Sequence, residues 1–431
     1  MKTYKNLYEK IISEENLKKA FFKAAKGKRN RKDIQHILDN ADEHVAILHG
    51  ILEREDFRPA HHKPVQINDG FKMKKRHIIK PYYKYEQVVH HAIIQVLAPT
   101  DKEIAADHSL KKIINRGAYE FTCGSVKGRG AHYGKRYIER WIRKDRKNTK
   151  YVLKIDVRHF FESIPHDRLK EKLRKVIADE KTLRLLDLII DAVPAGLPLG
   201  YYTSQWLANF YLQDLDHFIK QEVWQPEKEK KQKQYATRKK RRGAESYTMP
   251  DFLCGVKYMV RYMDDIVCFS ANKRDLKTAL ERIESYCSEK LGLVIKKNKQ
   301  IFPLSKEIPL TEKELEARQK AKKSIKKKVK EIGRALDFMG FLFRRTRTTI
   351  RKAILYRITR KARKVAKKEK ANWYDASSII SRMGYFRHTD AYNVYLERVK
   401  PYVNIKKLKK IVSNHERKGR ICYCLLYTSP S

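Results

Sequence analysis

The amino-acid sequence predicts an α+β protein in which helices surround an antiparallel sheet. Apolar residues at helical spacing occupy the first sixty residues and the chain from Arg351 onward. Between them, apolar β-forming residues of segment 257–269 run up to two adjacent acids and resume directly after them, which predicts two strands joined by a tight turn. A further apolar segment, 151–161, predicts a strand that ends in an acid.

The acids at these strand ends are candidates for a cation site. Asp264 and Asp265 are predicted to lie at the tip of the hairpin, where two adjacent carboxylates repel each other unless a bound cation keeps both ionised. An ordinary Asp-Asp turn is the alternative for two isolated acids. Asp156 ends the other strand, and a carboxylate there costs free energy unless a cation or hydrogen bonds compensate it. Asp156 is therefore a third candidate for the acidic cluster.

The charge of the chain indicates a polyanionic partner. Lys and Arg number 98 against 50 acids, a net charge of +48, while 42% hydrophobic residues allow a sizeable core. A membrane surface is the alternative polyanion, but no apolar run is long enough to span a bilayer and no apolar signal segment begins the chain. Nucleic acid is the favoured partner, and a membrane is not expected.

Two basic segments of the first 150 residues could contact phosphates. An Asp-Gly turn at Asp69 predicts a hairpin whose second, basic strand lies within 74–81, although a charge-rich strand can also be a solvated edge. A glycine-rich loop, 123–130, precedes a helix predicted to start near His132, and its backbone N–H groups and Lys127 could approach a phosphate. This loop matches none of the specific phosphate-loop patterns.

The other elements are predicted in chain order. They are a buried helix over 88–97, a turn-rich loop over 195–205, a helix over 206–219, an exposed basic insertion over 221–247, an amphipathic helix over 276–291, a strand–turn–strand over 293–302, a basic helix over 312–330 and a short apolar strand over 338–343.

The order of these motifs resembles that of reverse transcriptases. The resemblance covers roughly residues 65 to 345 and rests on five motifs: the strand ending in Asp156, the Gly200-x-x-x-Ser204 loop, the hairpin Tyr262-Met263-Asp264-Asp265, the turn at Lys299 and the strand Phe338-Met339-Gly340-Phe341. It implies a right-hand polymerase with fingers, a palm built from an antiparallel sheet and helices, and a helical thumb.

The resemblance also implies a division of the chain. N-terminal helices and fingers would occupy 1–150, the palm 151–345 with basic insertions near 222–250 and 311–332, and the basic helical thumb 346–423. Residues 424–431 resemble translated sequencing-adapter DNA and are expected to be non-native, an ordinary disordered tail being the alternative.

For catalysis, the resemblance implies metal-assisted nucleotidyl transfer. Asp156 and Asp264 would bridge two Mg²⁺ ions, for which Mn²⁺ is the substitute, while Asp265 supports the site and Val157 offers its backbone carbonyl. Lys299 lies where the family places a proton donor for the leaving pyrophosphate.

Further roles follow for residues around the acids. Lys75, Arg76 and Lys127 resemble positions of the fingers that hold the nucleotide triphosphate. Phe161 resembles the bulky side chain that excludes a ribose 2′-hydroxyl and so favours dNTPs, a core aromatic being the alternative. The segment formed by Phe338, Met339, Gly340 and Phe341 resembles the primer grip.

One departure points to a subfamily. Many reverse transcriptases have Gln before the Gly200 position and Pro after the Ser204 position, whereas this chain has Leu199 and Gln205. This pattern, and segment 381–390, resemble the reverse transcriptases of diversity-generating retroelements, which copy a template RNA with errors at adenines. An apolar Leu199 near the templating base or incoming nucleotide would remove a hydrogen-bonding group that could help control pair geometry.

The expected partners are template RNA, primer, cDNA product, dNTPs and a small basic accessory protein, in the cytoplasm of a bacterium or as a phage-encoded protein. Retron, defence-associated and group II intron-type reverse transcriptases are the alternatives within the family. A non-catalytic RNA-binding protein is the alternative outside it, and it would bind with steep salt dependence but incorporate nothing.

Overall fold

The computed structural model describes residues 3–29, 31–69, 74–220, 255–314, 316 and 329–415. The basic insertion predicted near 222–250, most of the one near 311–332 and the tail 424–431 lie outside these residues.

Helices form the first part of the chain, as predicted. Their bounds are α1 Tyr8–Ile12, α2 Glu14–Ala24, α3 Lys32–Asp39 and α4 Ala41–Glu53. Ile11, Leu17 and Leu48 are fully buried, so these helices share one core. The side chain of Ser13 accepts a hydrogen bond from the backbone N–H of Asn16 and thereby caps α2.

An antiparallel hairpin follows, and it confirms the signal of the Asp-Gly turn. Its strands are β1 Val65–Asp69 and β2 Lys74–Ile78, while the turn itself lies outside the described residues. A single π-helical turn, Tyr83–Gln87, leads into α5 Val88–Leu97 and then α6 Asp101–Ala106. Helix α5 is buried along most of its length, as the sequence predicts.

The central sheet has the strand order β3-β5-β6-β4-β7 in the described residues. Its strands are β3 Thr122–Cys123, β4 Tyr151–Asp156, β5 Val256–Tyr262, β6 Asp265–Ser270 and β7 Gln300–Pro303. All pairs are antiparallel except β3–β5. The antiparallel sheet predicted for the palm is thus present, with one short parallel strand at its edge, where the long connection from β3 to β5 lets the chain return in the same direction.

Alternation along β4 and β6 divides the apolar residues between two cores. Leu153 and Ile155 of β4 belong to the larger core, whereas Val152 faces the smaller one. The larger core joins the sheet to the N-terminal helices and to the helices α8 Phe160–Ser163, α9 His166–Arg174, α10 Glu180–Ile190, α11 Tyr202–Tyr211, α12 Gln213–Phe218 and α13 Lys273–Leu291. The smaller core is covered by α7, Ala131–Lys144.

Several predicted boundaries are wrong. The helix predicted over 206–219 starts at Tyr202 and is interrupted at Leu212, so Ser204 and Gln205 belong to a first helical turn instead of the preceding loop. In segment 293–302 only the second run forms a strand, and the first contributes a single bridge from Ile295 to Val157. Val329 and Lys330, the last residues of the helix predicted over 312–330, belong to a strand, while most of that segment lies outside the described residues.

In the described part of the chain, five short strands follow the central sheet. They are β8 Lys306–Pro309, β9 Val329–Ile332, β10 Leu336–Phe338, β11 Phe341–Phe343 and β12 Thr348–Ile350. The single strand predicted over 338–343 is wrong, because β10 and β11 form an antiparallel hairpin with Met339 and Gly340 at its turn. Both turn residues have positive φ, +51° and +87°, and the backbone reverses there.

The C-terminal unit is helical, as predicted, and has its own core. It contains α14 Lys352–Ala366, α15 Trp373–Arg387, α16 Tyr392–Arg398 and a further helix over 405–415. Ile358, Ile379 and Val399 are buried in this core. Of the helices in the described ranges, none is both long and apolar enough to cross a membrane. The domain boundaries at 150 and 345 stay predictions.

Candidate active site

Backbone pairing brings the three predicted acids to one end of the central sheet. Asp156, the last residue of β4, lies opposite Asp265, the first residue of β6. Tyr262 pairs with Asp265 across the hairpin, which leaves Met263 and Asp264 as its two-residue turn. The sheet therefore gathers carboxylates that are more than a hundred residues apart in sequence.

Two lysines flank these carboxylates. The Lys296 ammonium contacts Asp156, and the Lys154 ammonium lies 3.3 Å from a carboxylate oxygen of Asp265. Lys154 also donates a 2.8 Å hydrogen bond to the backbone carbonyl of Asp337, which precedes the β10–β11 turn. Ammonium groups thus neutralise part of the negative charge and tie the acids to a neighbouring hairpin.

Burial makes the ionised form of the two hairpin acids unfavourable. Burial, together with a hydrogen bond to and charge repulsion from the adjacent Asp156 carboxyl, raises the pKa of Asp264 to about 7. Burial likewise raises the pKa of Asp265 to about 6, although the Lys154 ammonium opposes the shift. Half-buried acids that repel each other lower the stability of the folded protein, and such groups are typical of functional sites.

The residues present fit a divalent cation. Among the described residues, no group of three or more His, Cys, Asp or Glu side chains is arranged around a metal position, and lysines contact two of the carboxylates. However, one oxygen of Asp156 and one of Asp265 are buried and receive no hydrogen bond from a described donor. Both line a polar cavity of about 210 Å³, and carboxylate oxygens are the ligands that Mg²⁺ prefers.

The predicted nucleotide-binding residues are distributed around this sheet end. Lys75 and Arg76 are exposed on β2, and Lys127 is exposed in the glycine-rich loop. Val157 is fully buried directly after β4, whereas Phe161 is half-buried and packs against the larger core through contacts that include Phe160. Their roles stay predictions.

The loop with Leu199 and Gly200 docks on the β1–β2 hairpin. The backbone N–H of Ile79 donates a 2.8 Å hydrogen bond to the carbonyl of Leu199, whose side chain is half-buried. Gly200 has a φ of +120°, and a Cβ at this position would collide with the carbonyl oxygen of Ile79. Only glycine permits this close approach, which fixes the basic hairpin beside the loop.

Lys299 does not contact the acids in this structure. Its ammonium lies 2.6 Å from Glu284 of α13, so its role as a proton donor stays a prediction. Lys296, three residues earlier, contacts Asp156 instead, and sequence reasoning missed it. Lys154 was also missed, although its spacing of two residues from Asp156 on a strand places both on one face.

The predicted primer-grip residues form the turn of the β10–β11 hairpin. Phe338 and Phe341 are fully buried in the smaller core. The N–H of Arg351 donates a 2.9 Å hydrogen bond to Gly340, and its guanidinium lies 2.6 Å from the Asp337 carboxylate. The hairpin is thus attached to the start of α14, while its role at a primer stays a prediction.

A sheet of this topology, with paired acids at a hairpin tip and helices on both sides, defines a right-hand polymerase. The sequence family described as reverse transcriptase (RNA-dependent DNA polymerase) matches residues 88–341, more than half of the chain. The chain belongs to the reverse transcriptase family, which confirms the resemblance seen in its motifs.

Other proteins to which the chain is similar include an intron protein and, by structure alone, telomerases. An uncharacterized 91 kDa protein in the cob intron of Schizosaccharomyces pombe is 29% identical over 180 residues, which cover 33% of this chain and 22% of that protein. The chain therefore spans about a fifth of this curated relative. Solved structures similar to it include apo telomerase from Candida tropicalis, with 11% identity, a TM-score of 0.41 and coverage of 74% of this chain and 52% of that one. Telomerase from the same organism with a fragment of telomeric RNA has 10% identity, a TM-score of 0.40 and coverage of 88% and 67%.

Proposed function

We propose that this protein is an RNA-directed DNA polymerase that copies a template RNA into cDNA. The observation that carries the proposal is the pairing of Asp156 with Asp265 next to the Asp264 turn, in a chain of the reverse transcriptase family. Half-buried, mutually repelling carboxylates, two of which have a buried oxygen without a hydrogen bond, are suited to divalent cations, which neutralise the charge of a phosphoryl-transfer transition state.

The residues of the site divide the work of nucleotide addition. Asp156, Asp264 and Asp265 would hold Mg²⁺, which supplies charge neutralisation at the reacting phosphate and activates the primer 3′-hydroxyl. Lys75, Arg76 and Lys127 provide cationic groups for the triphosphate, and Phe161 provides bulk beside the sugar. The contact of the β1–β2 hairpin with the Leu199–Gly200 loop, through the bond from Ile79, would position Lys75 and Arg76 relative to the acids.

Primer extension on a primed RNA tests the proposal directly. The protein is expected to add dNTPs in a template-directed reaction that requires Mg²⁺ or Mn²⁺, and to discriminate against rNTPs. Binding to the RNA with steep salt dependence but without any incorporation would instead identify a non-catalytic RNA-binding protein.

Lys296→Met is expected to increase the thermal stabilisation of the protein by Mg²⁺. The ammonium and the metal compete for the Asp156 carboxylate, so its removal should increase metal affinity. A tenfold gain in affinity would add about 1.4 kcal/mol of stabilisation at saturating metal. The increase in melting temperature on adding MgCl₂, measured by differential scanning fluorimetry, checks this.

Lys299→Met is the matched control for that substitution. The Lys299 ammonium pairs with Glu284, away from Asp156, so the Mg²⁺ response should equal that of the wild type. Equal responses of both variants would show that Lys296 does not compete with the metal.

We further propose that the polymerase is the error-prone enzyme of a diversity-generating retroelement. Leu199 and Gln205 support this subfamily, and the structure holds Leu199 beside the basic hairpin through the bond from Ile79. An accessory protein, and a bacterial or phage origin, belong to the same proposal.

Leu199→Gln is expected to lower misincorporation opposite template adenine. The amide restores a hydrogen-bonding group that can favour correct pair geometry, and we expect roughly a tenfold lower error frequency, or about 1.4 kcal/mol of discrimination. Deep sequencing of cDNA made on one defined RNA measures it. Errors opposite the other three bases serve as the internal control, and an unchanged adenine error rate would remove Leu199 as the cause.

An intron-type reverse transcriptase is the second candidate, because the similar Schizosaccharomyces pombe protein lies in an intron. A template repeat and a variable repeat beside the gene would favour the retroelement, whereas flanking intron RNA would favour this alternative.

A further inference from the structure

The largest fully buried side chain among the described residues belongs to Arg261, which lies three residues before Asp264. Its partner is Asp216 of α12, which is also fully buried. The guanidinium donates to both carboxylate oxygens of Asp216, each at 2.6 Å. This ion pair is separate from the acidic cluster, and the proposed mechanism does not use it.

The remaining hydrogen bonds of the pair lead to the active-site turn. Another Arg261 nitrogen donates to the carbonyl of Met263 at 2.8 Å and to the side-chain oxygen of Asn209 at 2.9 Å. Asn209 in turn donates to the carbonyl of Gly124 at 2.8 Å, and Thr122 donates to Asp216 at 2.7 Å. One guanidinium therefore connects the turn, two helices and the start of the glycine-rich loop.

The turn needs such support because of its backbone conformation. Met263 has a φ of +56°, a left-handed conformation that a non-glycine residue adopts only at a cost. Its N–H donates to the carbonyl of Cys123 at 3.2 Å, and its own carbonyl accepts from Arg261. The peptide groups immediately before Asp264 are thus held on both sides.

Stability alone does not account for a buried ion pair at this place. Replacing such a pair by apolar residues of similar size is often neutral or stabilising, because two charges must be removed from water. What apolar residues cannot supply is a fork of directed donors that fixes a carbonyl in the turn.

We propose that Arg261, held by Asp216, is a positioning residue that sets the place of the Asp264 carboxylate relative to Asp156 and to the glycine-rich loop. This inference rests on the proposed polymerase function. Arg261 acts through the Met263 backbone and does not touch the nucleotide.

The paired substitution Arg261→Met with Asp216→Leu tests this role. It removes both charges together, so the melting temperature should stay within a few degrees of the wild type. The rate constant of single-nucleotide incorporation, normalised to active sites by burst amplitude, should fall about 10- to 100-fold, as expected for a misplaced catalytic group. The KM for dNTP should change by no more than about twofold, since the nucleotide contacts stay in place.

A conservative variant and a stability control keep the test decisive if the paired variant does not fold. Arg261→Lys keeps the charge but cannot reach Asp216, Asn209 and Met263 together, and it should also lose about tenfold in normalised rate. Asp179→Ala removes an acid that bonds the backbone N–H groups of Leu7 and Tyr8, remote from this network. It should lower the melting temperature but leave the normalised rate within about twofold of the wild type.

The positioning role would be overturned if the folded Arg261 variants had the same normalised rate as the wild type and Asp179→Ala. The polymerase assignment would then remain intact. A wild-type protein that incorporates no nucleotide would instead overturn the proposed function itself. A second measurement does not depend on turnover. We expect MgCl₂ alone to raise the melting temperature of the wild type more than that of Arg261→Lys.

Discussion

Asp264→Asn is expected to reduce dNTP incorporation on a primed RNA by at least about 10³-fold, or roughly 4 kcal/mol of transition-state stabilisation. The substitution keeps the size of the side chain but removes the charge that a divalent cation requires. RNA binding should stay within about twofold, because it depends on the many cations of the chain and not on one acid. Primer extension and a filter-binding titration measure the two effects separately.

The same substitution should stabilise the protein without added metal. The pKa of Asp264 in the folded protein, about 7, lies above the ordinary value of 3.8. The carboxyl therefore stays protonated to a higher pH in the folded state than in the unfolded state. Stability attributable to this group is therefore present at low pH and is lost as the pH rises from about 4 to about 7. Because Asn carries no proton that must be released, the Asp264→Asn protein does not lose this stability. At about pH 8 its melting temperature should therefore exceed that of the wild type by a few degrees.

Asp167→Asn is the matched control. This acid is exposed on α9, eleven residues after Asp156, and should affect neither incorporation nor the pH dependence of melting. An Asp264→Asn protein that still synthesises cDNA at the wild-type rate would refute the assignment of this acid.

Gly200→Ala is expected to produce the second large effect. The new Cβ would meet the Ile79 carbonyl, so the hairpin that carries Lys75 and Arg76 must move away from the loop. We expect kcat/KM for dNTP to fall at least about tenfold and stability to fall by about 2–4 kcal/mol, combining backbone strain with overpacking. Steady-state kinetics and thermal melting measure these changes.

Gly128→Ala separates strain from collision. Gly128 also has a positive φ, +78°, but nothing lies within 4 Å of the position of its Cβ. The Gly128→Ala protein should therefore lose only the stability due to backbone strain, about 1–2 kcal/mol, and retain most of its activity. Equal losses in both variants would mean that the docking of the hairpin on Leu199 is not important for nucleotide use.

The strands and the acids at their ends could be predicted from the sequence because both depend on local patterns. Apolar runs around Asp156 and Asp264 fix the strands, and the two-residue turn follows from the position of the acids between the runs. The family motifs then supplied the order of the elements. The register that places Asp156 opposite Asp265 depends on which strands pair, which no local pattern contains.

The partners of the acids could not be predicted, since they depend on tertiary packing. Segment 293–299 has no regular period, so nothing in it distinguishes Lys296, which reaches Asp156, from Lys299, which reaches Glu284. The role of Arg261 could not be predicted from the sequence for another reason. It lies in an apolar run that predicts a buried strand, and its partner Asp216 is 45 residues earlier on a separate helix.

The attachment at Arg351 has a mechanical consequence. Because the Arg351 N–H bonds the Gly340 carbonyl and the Arg351 guanidinium pairs with Asp337, the start of α14 is bonded to the β10–β11 hairpin. Lys154 continues this path from the Asp337 carbonyl to Asp265. We therefore expect a displacement of the start of α14 to be transmitted to the acids through these bonded groups.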